Sequence, residues 1–166
     1  MPNVAEMRKR LKSGALGRLL HAEGNFCTNR YGGLGAGNWK ADLAYVPAGS
    51  LADHMLYLLI ETLGPIAEVH TSSVHDVSQN TLADCAAVLL RTANNTSGLL
   101  TAIGVTPDYY RFQIFGTKGW MELRDARQLT FQPVDGEREE LMLPALDPER
   151  AQVEAFAGAI LGQSVF

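Results

Sequence analysis

At 166 residues, with 46% hydrophobic and 19% charged side chains, the sequence has the size and composition of one globular domain, which excludes an intrinsically disordered chain. A net charge of −4 and an isoelectric point near 5.5 exclude nucleic-acid or anionic-membrane binding driven by overall charge. No apolar run approaches the roughly 18 residues of a membrane span and no targeting h-region follows Met1, so a soluble, cytoplasmic chain is expected.

Asn3 is positioned to cap a first helix, with Val4, Met7 and Leu11 on one face and Gly14 as its stop. The basic stretch "MRKRLK" fits the solvated face of that helix. "GRLLHAEGNF" then alternates: Leu20, Ala22, Gly24 and Phe26 face one way, and Leu19, His21, Glu23 and Asn25 the other. That is a strand with one buried face. The Gly-rich segment "TNRYGGLGAGNWKADLAYVPAG" is too long and irregular for a tight turn, and loops of this kind are usually functional. Its "GGLGAG" follows a strand but opens no helix and lies in no βαβ unit, so it reads as a lid or loop rather than a dinucleotide fingerprint.

A second helix is predicted to open at Gly49 and Ser50 and to close at Gly64-Pro65. Its polar side chains, Ser50, Asp53, His54, Tyr57 and Glu61, fall on one stripe, opposite Leu51, Met55, Leu58, Leu59 and Thr62. The positive end of the helix dipole favours the carboxylate of Asp53. Spacing alone leaves two readings of this stripe. Either Ser50 or Asp53 satisfies free helix amides and His54 and Tyr57 are half-exposed surface groups, or the stripe is the wall of an active site. Acid/base chemistry needs a pocket as well as proximity.

From Gly64 onward the pattern turns to strands: "IAEVHTSSV", "TLADCAAVLLRTA", "SGLLTAIGV", "YYRFQIFG", "GWMELRD" and "QLTFQPV". Turn signals at Asn94-Asn95, Thr106-Pro107-Asp108 and Thr117-Lys118-Gly119 predict an antiparallel meander. Asp147 as N-cap and Pro148 as first residue begin a last helix whose apolar stripe is Val153, Phe156, Ala157, Ile160 and Leu161. The expected fold class is α+β, a mainly antiparallel open-faced β-sheet with helices packed on one face. "TLADCAAVLLR" is apolar on both sides, with Ala83, Cys85, Ala87 and Leu89 on one and Leu82, Ala86, Val88 and Leu90 on the other. A bare apolar face points to a homo-oligomer formed through it.

Cys27 and Cys85 form no CxxC pair, in keeping with a reducing compartment. His21, His54, His70 and His75 show no HxxxH or HExxH spacing, so no metal site is expected. No GxSxG elbow occurs.

The stretches "KSGALGRLLHAEGNF", "NWK", "PAGSL", "GPIAEVHTSS", "TLADCAAVLL", "SGLLTA", "YRFQIFGTKGWMEL" and "VEAFAGAI" follow one another along nearly the whole chain. In that order they resemble the C-terminal domain of the glucose-fructose oxidoreductase / inositol dehydrogenase (Gfo/Idh/MocA) family. The resemblance implies a two-domain enzyme whose N-terminal Rossmann domain binds NAD or NADP. Its C-terminal domain supplies substrate contacts and the oligomer interface. On that basis residues 1–166 are a single C-terminal domain, the Rossmann domain with its E-K-P lysine is absent, and the chain alone neither binds NAD(P) nor turns over substrate. The implied reaction is hydride transfer between nicotinamide and a secondary alcohol of a sugar, cyclitol or related small polyol.

The resemblance also implies the site residues. Relatives carry a pattern close to GGxLxDxGxH, whose His (Tyr in some) serves acid/base chemistry with an Asp four residues earlier. Counted forward from Trp39 and "PAGSLAD", Asp53 takes the Asp position and Tyr57 the His/Tyr position. Counted back from Gly64, His54 takes the His position. About three residues are missing between Asp53 and His54, close to one helical turn, so the side chains can share a face. His54 is the preferred acid/base group and Tyr57 the second, with Asp53 assisting. Trp39 and Lys40 resemble substrate-facing loop residues. The altered motif leaves an alternative, a non-enzymatic binding, regulatory or dimerisation module of the same fold.

Overall fold

The computed structural model describes residues 1–35, 38–40, 52–78 and 83–163. Helix α1 (Pro2–Lys12) has Met1 as N-cap, with no side-chain capping bond and Pro2 at its start. Proline with its fixed φ suits the first helical position, so the helix begins two residues earlier than expected and Asn3 is not its cap. Asn3 is instead fully buried, and its amide donates to the backbone carbonyls of Asp125 (3.1 Å) and Gln128 (3.2 Å). The basic face is solvated only in part: Arg8 pairs with Glu61, and Arg10 with Glu6 and Glu139.

The described strands form one eight-stranded sheet: β1 (Leu19–Cys27), β2 (Ile66–Val74), β3 (Cys85–Thr92), β4 (Ser97–Ile103), β5 (Tyr109–Gly116), β6 (Gly119–Arg124), β7 (Gln128–Pro133) and β8 (Glu139–Met142). The spatial order is β2-β3-β4-β1-β5-β6-β7-β8. The expected meander is therefore interrupted. β2-β3-β4 and β5-β6-β7-β8 are each antiparallel runs, and β1 lies between them, parallel to β4 and antiparallel to β5. Strand β8, short and polar, has no alternating apolar pattern to announce it.

Strand pleat sorts the side chains onto two faces. One carries Ala22, Leu100, Ala102, Phe112, Ile114, Met121, Leu123, Leu129 and Phe131, which form the core with Val4 and Met7 of α1 and Met55, Leu58, Leu59 and Leu63 of helix α2 (Asp53–Leu63). α1 crosses β6 and β7, and α2 crosses β1 and β4. The fold is thus α+β, with a mainly antiparallel sheet and helices packed on one face. Helix α3 (Pro148–Ile160) starts as expected, with Asp147 accepting from the Arg150 amide at 2.9 Å. Its stripe, however, stays largely exposed: Val153 and Ile160 are about 70% exposed and no residue of the helix is buried.

The opposite face of the sheet is open, but its centre is polar rather than apolar. Arg111 bonds Glu23 and Asn25, Asn25 bonds Thr101, and His21 lies 2.7 Å from the Ser97 hydroxyl. Apolar side chains on this face are most exposed at the β2–β4 end, where Val74 and Leu89 are more than half exposed, and Phe115 and Trp120 lie on it at β5 and β6.

Candidate functional site

α2 is held onto β1 by a close approach at Gly24. A Cβ added there would stand 3.0 Å from the Met55 Cβ, a tight contact that glycine relieves. Buried Met55, Leu58, Leu59 and Leu63 face the sheet, which turns Asp53, His54 and Tyr57 outward as the 3.6-residue period requires. Gly64, at φ +93°, ends the helix, and its amide bonds the Ile60 carbonyl at 2.9 Å. The helix N-cap is Ala52, without a side-chain capping bond, while the expected contributions of Gly49, Ser50 and Leu51 lie outside the described residues. Glu61, at the far end of the stripe, is taken up by Arg8, whose guanidinium that hydrogen bond holds above its ordinary range.

The outward face borders a cleft of about 750 Å³. Asp53, His54 and Tyr57 line one wall, with Met1, Val4 and Arg8 of α1 beside them. The end of β1 (Phe26, Cys27, Thr28), the start of β5 (Tyr109, Tyr110) and Asp108 form the floor. Asp125, Ala126, Pro148 and Glu149 close the rim. A second lobe of about 410 Å³ adjoins it, lined by Phe26, Arg30, Tyr31, Leu34, Asn38, Trp39, Lys40 and His54. Phe26, Arg30 and His54 belong to both lobes. All five residues singled out from sequence therefore border one groove, although Trp39 is 68% exposed and Tyr57 62%.

The floor is set by register between distant strands. Phe26 pairs directly with Tyr110 across β1 and β5, their rings edge-to-face at 5.6 Å. The His54 imidazole lies 5.9 Å from the same Phe26 ring. The Thr28 hydroxyl donates to Asp108 at 2.6 Å, and the Thr28 and Tyr31 amides bond the carbonyls of Ile103 and Gly104. The loop after β1, which carries Arg30, is thereby pinned to the β4–β5 connection. The Tyr110 hydroxyl is buried without a hydrogen-bond partner, and burial pushes its pKa up to about 12. Burial likewise raises the Cys27 thiol. Lys40 sets its ammonium 5.5 Å from the centre of the Trp39 ring.

Sequence reasoning missed Arg30, Thr28, Asp108 and Tyr110 as groove residues, and treated Phe26 only as one of a strand's buried positions. None sits on a periodic stripe with the others. Chemically, the groove offers an imidazole, a phenol and a carboxylate on one helix face, an exposed indole and two cations beyond them. That set can bind a small polar molecule and accept or return a proton at a hydroxyl. Among the described residues no group of three or more His, Cys, Asp or Glu could hold a metal ion, and no helix is long and apolar enough to cross a membrane.

The family model described as GFO/IDH/MocA C-terminal domain matches residues 4–122. No curated protein matches the chain. Among solved structures, levoglucosan dehydrogenase in complex with NADH and L-sorbose is 18% identical with a TM-score of 0.81, over 98% of this chain and 54% of its own. An inositol dehydrogenase homolog from Azotobacter vinelandii, complexed with NADH and myo-inositol, is 22% identical with a TM-score of 0.73, over 87% of this chain and 41% of its own. UDP-N-acetylglucosamine 3-dehydrogenase from Acidithiobacillus ferrooxidans is 20% identical with a TM-score of 0.75, over 95% and 49%. At these identities the likeness is one of fold. The chain spans about half the length of such structures.

Proposed function

The chain belongs to the GFO/IDH/MocA C-terminal domain family, and we propose that it is the substrate-binding and oligomerisation domain of an NAD(P)-dependent oxidoreductase acting in the cytoplasm on a secondary alcohol of a sugar, cyclitol or similar compound. The observation that carries this reading is the convergence of Asp53, His54, Tyr57, Trp39 and Lys40 on one groove. The likeness in fold to proteins crystallised with NADH and a sugar or inositol supports it.

The described residues do not themselves fit a dinucleotide. The parallel pair β1 and β4 is separated in the chain by α2, β2 and β3, so it is not a βαβ unit, and no Gly-rich turn leads directly from a strand into a helix. Nicotinamide binding is left to a separate dinucleotide-binding domain. This chain's part is to orient the polyol and manage the proton of the reacting hydroxyl. His54 takes or returns that proton, Tyr57 being the alternative group. Asp53 accepts hydrogen bonds from neighbouring hydroxyls, and Trp39 and Lys40 bound the substrate on the loop side. Homo-oligomerisation uses the open sheet face, where Val74 and Leu89 flank the charged centre.

One observation favours the second reading, a non-enzymatic binding or regulatory module. Among the described residues Asp53, His54 and Tyr57 make no hydrogen bonds to one another, and the motif between Asp53 and His54 is shortened. The two are separated by joining the chain to a family dinucleotide-binding domain. NAD(P)-linked oxidation of a polyol supports the enzyme, and stable polyol binding without turnover supports the module. Micromolar binding of NADH by the chain alone, read by calorimetry, contradicts the division of labour proposed here.

A further inference from the structure

The inner lobe of the groove is electrostatically unlike the outer one. Asp53, Asp108, Asp125 and Glu149 line the outer lobe. Among the described residues no carboxylate lines the inner lobe, whereas Arg30, Lys40 and His54 do. The imbalance is not a matter of supply, because the chain carries 18 acidic against 14 basic side chains. Of the other arginines, Arg8, Arg10, Arg111 and Arg124 are each ion-paired, whereas the Arg18 side chain, outside the groove, has no partner among the described residues. Among the described residues the Arg30 guanidinium makes no ion pair or hydrogen bond, and the Lys40 ammonium lies over an indole and pairs with no carboxylate.

We propose that the inner lobe binds an anionic group, a carboxylate or a phosphate, carried by the substrate whose hydroxyls lie along α2. The proposal rests on the reading of the groove as a polyol site and narrows it to acidic sugars or cyclitols. Arg30 supplies a planar fork of donors suited to either group, and Lys40 adds a second charge in the same lobe. The positive end of the α2 dipole, at Asp53 and His54, adds to the same potential. Trp39 offers an exposed ring face against which a pyranose can lay its C–H surface. Acidic side chains in the outer lobe accept hydrogen bonds from the hydroxyl end and repel a ligand entered the wrong way round. Arg30 and His54 border both lobes, so fixing the anion also fixes which hydroxyl meets the imidazole.

The test is calorimetric titration of the 166-residue chain, at low salt, with D-glucose, D-glucuronate, D-glucose 6-phosphate and inorganic phosphate. The expected result is that one or both anionic sugars bind at least about tenfold more tightly than glucose, as charge-assisted hydrogen bonds imply. The preference shrinks at high salt, and R30Q or K40Q lowers the ratio of anionic-sugar to glucose affinity at least about fivefold. Glucuronate against glucose 6-phosphate decides between carboxylate and phosphate. Equal affinity for glucose and both anionic sugars overturns the proposal and leaves the polyol reading standing. So does a preference that survives both substitutions, or inorganic phosphate binding as tightly as the sugar phosphate. If no sugar binds at all, the polyol reading falls and takes this inference with it.

Discussion

The imidazole of His54 lies 5.9 Å from the phenyl ring of Phe26, centroid to centroid, which joins the head of α2 to the end of β1 at the point where the two lobes of the groove meet. The contact fixes a polar, outward-facing residue against a ring whose other side meets Tyr110. Phe26 thereby borders both lobes, and Tyr110 the larger one.

The position of His54 depends on how closely α2 sits on the sheet. Replacing Gly24 with alanine sets a methyl 3.0 Å from the Met55 Cβ and 3.1 Å from its sulfur, so Met55 must give by a few tenths of an ångström. We expect G24A to cost about 1–3 kcal/mol in urea denaturation, the range for overpacked cores. Because α2 carries Asp53, His54 and Tyr57, the same variant should weaken polyol binding.

Tyr110 presents the opposite case. Its hydroxyl is buried and unbonded, a state that costs about 1–3 kcal/mol. Y110F should therefore equal or exceed the parent in stability at neutral pH. The phenol has a folded pKa of about 12 against about 10 for an unfolded chain, so its contribution is fully present below pH ~10 and is lost as pH rises through ~12. Stability measured from pH ~9 to ~12 should fall more steeply in the parent than in Y110F.

Asn3 ties α1 to the β6–β7 turn through two hydrogen bonds to backbone carbonyls. N3A removes both part-buried bonds and should lower stability by about 1–3 kcal/mol in a denaturant titration. N3D, which cannot donate from an ionised side chain, should do no better. Asp125 and Ala126 line the groove, so loosening this turn should also widen its rim.

What was legible in the sequence was what repeats at short range. The stripe of Asp53, His54 and Tyr57 follows from helical period, and the Asp147-Pro148 helix start from the chemistry of one cap. Strands β2 to β7 follow from alternation and turn residues. The insertion of β1 between β4 and β5 was not legible, because no local turn encodes a pairing between residues 76 to 97 positions apart. The Phe26–Tyr110 pair is a consequence of that insertion, so the groove floor was hidden with it. Arg30 sits in a loop without period, and only its lack of a partner in three dimensions singles it out. Asn3 misled because its residue type suits a cap, while Pro2 moved the helix start past it. The open sheet face was judged from β3, whose apolar outer residues do not represent the charged centre at Glu23, Arg111 and Glu122.

The central claim is that the outward edge of α2 works on substrate. The most direct measurement is steady-state turnover of a polyol by this chain joined to a dinucleotide-binding domain, comparing H54A and Y57F with the parent. The account predicts that H54A lowers kcat by about two orders of magnitude or more with little change in Tm, and that Y57F costs much less. Turnover unchanged in H54A, with or without a loss in Y57F, would contradict the role assigned to His54, and full activity in both variants would remove α2 from the chemistry altogether.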